Sequence, residues 1–277
     1  MLVFAYDGSL NGDWIAHYAL RFARATLTRR LHLVHVFEQT PSNETQGRIA
    51  RIVEESAHQG VELSTEMRRS IGNSASAAVL AALPDAHDTI LVTGTRAQPR
   101  NLCYLADTVA AQLLAQAPCT VLALHVVHPA WLGQPGHVLL PFTTDHAAPH
   151  AALPLLHLLA PDLRELQVLM VHELSSLRFR LLGSRAAQRM IAAAQVRADG
   201  IETLLREALA EHPCVIDASA VVSDDAAKET LVLAARLRSR LIGLDAGQLP
   251  AHPTYAHPLE QILRDSSSDV VLYRAAP

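Results

Sequence analysis

The chain has 277 residues, half of them hydrophobic and 18% charged, with a formal net charge of −4. That size and apolar content suit one large domain or two of about 140 residues and exclude a disordered chain. The negative balance removes the electrostatic basis for nonspecific nucleic-acid binding.

Apolar runs alternate with amphipathic segments from the start. The strand candidates of the first half are Leu2–Tyr6, Leu31–Phe37, Val61–Met67, Thr89–Thr93 and Thr120–Leu124. Between them lie the helical stretches Asn11–Ala25, Thr45–His58, Ser74–Leu83 and Leu105–Gln116. In the first helix Ile15, Tyr18 or Ala19, Phe22 and Ala23 form one stripe, and Ser9 is positioned to cap it. Strands alternating with helices of this length predict βαβ units and a parallel sheet covered on both faces.

The segment from His125 to Gly136 carries prolines and glycines and reads as a linker. The pattern then restarts with strands at Val138–Phe142, Glu165–His172, Cys214–Val222, Arg240–Leu244 and Asp269–Tyr273. Helices are expected at Ala147–Leu159, Arg185–Ala210, Ala226–Leu237 and Leu259–Asp265. Laying Val138 on Val3 also lays Glu173 on Glu38 and puts Phe142 on Asp7. The closing units match too, Leu113-Leu114…Val121-Leu122 against Ile262-Leu263…Val270-Val271. The chain therefore reads as a tandem duplication: a first domain at 1–127, a linker at 128–136 and a second domain at 137–277. The fold class expected is α/β, two tandem doubly wound parallel five-stranded sheets.

In such a sheet ligands sit beyond the carboxyl ends of the strands where the winding reverses, here at strands one and four. Strand one runs through Leu2-Val3-Phe4-Ala5-Tyr6 into Asp7-Gly8-Ser9. Strand four ends at Gly94, and a polar loop then leads to Asp107-Thr108-Val109, a helix and Ala117-Pro118-Cys119-Thr120-Val121-Leu122. This pairing resembles the universal stress protein family, whose first strand ends in Asp-Gly-Ser and whose last helix and strand read Gly-Ser-Val…Ala-Pro-Cys-Pro-Val. The resemblance implies an adenine-nucleotide α-hydrolase-like fold and a nucleotide crevice at those two strands. Members that bind ATP carry Gly, two residues, Gly, nine residues, then Gly and Ser or Thr. Carried over, that loop gives Gly94, Ala97, Asp107 and Thr108, so the outer positions fit and the middle two do not. Asp7 is the pocket-lining carboxylate that the resemblance implies, although Asp-Gly also suits any strand-to-helix turn, and Arg96 and Arg100 are the loop cations able to meet phosphates.

At about 5 Å and an effective dielectric of about 20, Asp107 would cost each phosphate charge on the order of 3 kcal/mol. The plain structural role for Asp107 is to N-cap the last helix. The second half departs further. Either Gly243 or Asp245 stands at the Gly94 position, depending on register, and His257-Pro258 stands at Thr108-Val109, so no phosphate cradle is expected there. The expectation is thus a stress-response binding or regulatory module without catalytic residues, metal or cofactor, with ATP disfavoured. The alternative is an adenine-nucleotide switch or weak ATPase using the first crevice.

His146, His150 and His157 are expected on one face of a helix but too spread to chelate one ion, and His32 and His35 read as structural. Cys103, Cys119 and Cys214 are too few and too scattered for a disulfide framework or a zinc site. The N-terminus shows no basic segment followed by an apolar core, so the cytoplasm is the expected location. The longest apolar stretch, Thr120–Phe142, is broken by histidines, prolines and glycines, so no membrane is expected as a partner. A protein partner is left open. Family dimers pair through the last strand, which implies that the halves form an intramolecular pseudo-dimer through Thr120–Leu124 and Asp269–Tyr273.

Overall fold

The computed structural model describes residues 1–38, 42–72, 74–84, 88–95, 103–129, 135–247, 249, 254 and 256–276. The first half runs β1 (Leu2–Tyr6), α1 (Leu10–Ala25), β2 (Arg30–Phe37), α2 (Asn43–His58), β3 (Glu62–Arg69), α3 (Ala75–Leu80), β4 (Ile90–Gly94), α4 (Val109–Gln116) and β5 (Thr120–His125). The second runs β6 (His137–Thr143), α5 (Leu153–Leu159), β7 (Glu165–Glu173), α6 (Ser176–Arg180), α7 (Ser184–Ala208), β8 (Val215–Ser223), α8 (Ala226–Leu237), β9 (Leu241–Asp245), α9 (Pro258–Asp265) and β10 (Asp269–Arg274).

Two helices are shorter than their apolar pattern suggests. The last helix of the first half starts at Val109 rather than Leu105, because Asp107 adopts a left-handed φ of 57° that an α-helix cannot pass through. In the second half Pro149 opens a single 3₁₀ turn, and α5 begins only at Leu153. His146 therefore lies in a turn, His150 in the 3₁₀ turn and His157 in α5, so the three histidines do not share a helix face as expected.

The strands form one ten-stranded sheet in the order β3-β2-β1-β4-β5-β10-β9-β6-β7-β8. Pairing is parallel within each half, and β5 meets β10 antiparallel, with Leu124 opposite Val271 and Ala123 opposite Leu272. The two expected five-stranded sheets are thus joined edge to edge through their last strands. Helices α1, α2, α5 and α7 cover one face, and α3, α4, α8 and α9 cover the other.

Side-chain alternation corrects the overlay of the halves. Leu2, Phe4 and Tyr6 face the same layer as Val138, Leu140 and Phe142, while Leu2 pairs with Ile90 as Val138 pairs with Leu241. Val138 therefore occupies the Leu2 position, not that of Val3, and Thr143 rather than Phe142 stands at Asp7. The same register puts Asp245 at the Gly94 position. A slip of one residue turns every side chain to the other face.

The join is apolar along its length and polar at chosen points. Residues Val121 to Leu124 and Val270 to Tyr273 are all fully buried. At the start of β10 the Asp269 carboxylate, 3% exposed, accepts from the Tyr18 hydroxyl (2.6 Å) and from the backbone N–H groups of Val127 (2.7 Å) and His128 (3.1 Å). In α9 the Glu260 carboxylate, 1% exposed, accepts from the backbone N–H groups of Tyr104 (2.6 Å) and Leu105 (2.8 Å). The Arg274 guanidinium donates to the carbonyls of Ala117 and Cys119, and Arg21 of α1 pairs with Asp162 beside α5. Both buried acids come from the second half and are satisfied by donors upstream of β6.

Removing either carboxylate orphans several buried donors, each costing about 1–3 kcal/mol. Asp269→Ala is predicted to destabilise the chain by about 3–5 kcal/mol in denaturant unfolding. Tyr18→Phe, which removes one donor and leaves the other two paired, should cost about 1 kcal/mol. Glu260→Gln should cost about 2 kcal/mol, because its amide NH₂ would face a backbone N–H. Equal, small losses for all three variants would show that the halves do not lean on these contacts.

Candidate functional site

The carboxyl ends of β1 and β4 and the starts of α1 and α4 enclose a crevice of about 200 Å³. Asp7, Gly94, Asp107 and Thr108 all line it, with Ala5, Val36 and Val79 among the apolar walls. Four of the positions singled out from sequence are thus brought together. Arg96, Ala97 and Arg100 lie outside the described residues.

Asp7, Gly94 and Thr108 each have a local task. Asp7 Oδ1 accepts from the Ser9 N–H (2.9 Å) and the Ser9 hydroxyl (2.7 Å), while Ser9 Oγ in turn accepts from the Gly12 N–H (3.0 Å) and caps α1. The turn needs Gly8, whose φ is 79°. It needs Gly12 as well, since a Cβ there would lie 2.5 Å from Asp7 Oδ1. At Gly94 a Cβ would stand 2.3 Å from the Ile15 side chain, so this glycine seats α1 against β4. The buried Thr108 hydroxyl donates to the Leu105 carbonyl (2.9 Å) and accepts from the Ala111 N–H (3.2 Å).

Thr108, not Asp107, is therefore the N-cap of α4. Asp107 precedes the cap, exposed at the rim of the crevice, in the left-handed conformation that aspartate tolerates better than most residues. This is the backbone position at which the resemblance expects glycine.

Beneath the crevice lies a network that the sequence did not signal. The Tyr6 hydroxyl donates to Asp13 Oδ1 (2.5 Å), and Arg48 of α2 bridges Asp13 and Glu44. Burial first, and then the Asp13 carboxylate, push the Tyr6 phenol well above its ordinary value. His35 is buried with Nδ1 3.0 Å from the Tyr6 carbonyl, which fixes the end of β1. His32 meets Ser64 and Glu66 across the strand pair, so both histidines are structural. The Cys119 thiol is buried, and burial pushes it up.

The second half has its own crevice, of about 320 Å³, at the corresponding strand ends. Thr143 stands there for Asp7 and Asp245 for Gly94. His257 caps α9 through Nδ1, which accepts from the Leu259 N–H at 3.3 Å. Pro258 opens the helix without an N–H of its own, so this terminus is short of anion donors. Burial pushes the Asp245 carboxyl up, partly offset by the Gly247 N–H, and pushes the His257 imidazole down against Glu260. Among the described residues no group of three His, Cys, Asp or Glu side chains is placed to hold a metal ion.

No family model and no curated protein matches the chain. Solved structures do. A universal stress protein from Archaeoglobus fulgidus DSM 4304 is 12% identical, with a TM-score of 0.61 over 98% of this chain and 97% of that one. A functionally unknown protein from Pseudomonas aeruginosa PAO1 is 16% identical, with a TM-score of 0.59 over 98% and 91%. The cytoplasmic domain of a prokaryotic cation chloride cotransporter is 13% identical, with a TM-score of 0.59 over 99% and 95%. At these identities the likeness is one of architecture, and the chain has the fold of the universal stress proteins along its whole length.

Proposed function

We propose that this chain is a cytoplasmic stress-response module of the universal stress protein kind, which binds or regulates without chemistry of its own. Its first crevice takes ATP weakly or not at all. The observation that carries this reading is Asp107, whose carboxylate stands at the mouth of α4 where a nucleotide phosphate would approach. Three further points support it. The Thr108 hydroxyl is committed to its cap. The crevice, at about 200 Å³, falls below the roughly 300–1,000 Å³ of ordinary ligand pockets. The Asp7 and Ser9 side chains are spent on the β1–α1 turn, so this pair is not a poised base and nucleophile.

Asp107→Gly is the decisive variant, because the left-handed φ suits glycine and the fold is not put at risk. Titration calorimetry with magnesium and ATP is predicted to give a wild-type Kd of about 1 mM or weaker. The variant should bind one to two decades tighter, at about 1.4 kcal/mol per decade. Micromolar binding by the wild type would overturn this reading and favour a nucleotide switch. An unchanged affinity in the variant would mean that Asp107 is not what keeps ATP out.

A further inference from the structure

Between Leu174 and Ala198 the sequence carries five arginines and no acidic residue, in a chain whose net charge is −4. This stretch forms α6 and the first part of α7. None of α6 is buried. In α7 the buried positions begin only at Ala194, so residues 184–193 extend the helix beyond the sheet it covers. The corresponding helix of the first half, α2, has 16 residues against 25 in α7 and mixes Glu44, Arg48, Arg51, Glu54 and Glu55.

The extension is amphipathic as well as cationic. Leu177 and Leu181 are 69% and 77% exposed, and Phe179 and Ile191 are partly exposed. Arg178, Arg180, Arg185 and Arg189 are exposed, and none forms an ion pair or a side-chain hydrogen bond among the described residues. Exposed apolar side chains here add nothing to the core. A run of arginines without acids adds nothing to folding that a mixed run such as α2 would not supply. What both features suit is a surface that is anionic outside and apolar just beneath.

We propose that the α6–α7 projection docks this protein on anionic phospholipid. The arginines would meet the headgroups while Leu177, Phe179 and Leu181 enter the boundary of the acyl chains. Such docking lies on the bilayer; among the described residues no helix is long and apolar enough to cross one. Charge complementarity singles out this occupant, because a neutral bilayer gives the arginines nothing to meet. A soluble acidic protein would satisfy the charges and leave the leucines unexplained. The inference is independent of what either crevice holds.

Cosedimentation of the full-length chain with phosphatidylcholine vesicles, with and without about 30% phosphatidylserine, tests the proposal. Binding is expected only with the anionic lipid and should be lost at about 0.5 M salt. Each basic side chain near such a surface strengthens binding about fivefold, so Arg178→Gln, Arg180→Gln, Arg185→Gln and Arg189→Gln together should weaken it at least a hundredfold. Leu177→Ser with Leu181→Ser should weaken it about tenfold or more. These positions bear no core load, and unchanged thermal unfolding of the variants checks that the fold is kept. Three outcomes would overturn the proposal. One is failure to bind anionic vesicles at low salt. Another is wild-type binding by the arginine variant. The last is vesicle binding that needs the arginines but not the leucines, which would show that no side chain enters the bilayer.

Discussion

The antiparallel meeting of β5 and β10 is the constraint on which the rest of the structure hangs. Each half alone would end in a fully apolar, unpaired strand, a ready template for aggregation. Joined, the two edges satisfy one another and both faces are sealed by helices. The cost is that donors near the join leave water, and Asp269 and Glu260 answer it by placing buried carboxylates against N–H and O–H groups. Polar contacts at these points also fix the register of an otherwise featureless apolar seam.

Antiparallel pairing has a geometric result for the crevices. The carboxyl ends of the first-half strands point one way along the sheet and those of the second half the other, so the two crevices open at opposite edges. They share no lining residue. The first combines the turn chemistry of Asp7, Gly8 and Ser9 with Asp107 at its rim. The second has Asp245 at the end of its fourth strand and begins its last helix with proline.

Much of this was legible in the sequence, for physical reasons that can be named. Leu2–Tyr6 matches its structural bounds because an unbroken apolar run meets the sharp Asp-Gly-Ser stop, and Ala226–Leu237 because an amphipathic period runs between clear end signals. The one-residue error in overlaying the halves has an equally clear cause. A strand buried on both faces is apolar at every position, so its sequence carries no phase. Thr108 and Asp107 are adjacent and both are good capping residues, and only the backbone angle at Asp107 decides between them. Helix α6 escaped notice because it buries nothing and so leaves no period to read. Glu260 and Asp269 act across more than a hundred residues of chain, a range at which local pattern is silent.

Glu260 also bears on what counts as a unit in this protein. Its carboxylate holds Tyr104 and Leu105, the residues that lead into the Asp107 turn and the capped start of α4. Part of the scaffolding for the loop at the first crevice is thus encoded more than 150 residues downstream, in the other half of the chain. The second half braces the first. Excising residues 1–127 as a minimal domain would therefore remove the carboxylate that holds the chain leading into the first crevice, and binding measured on such a fragment would describe a different object.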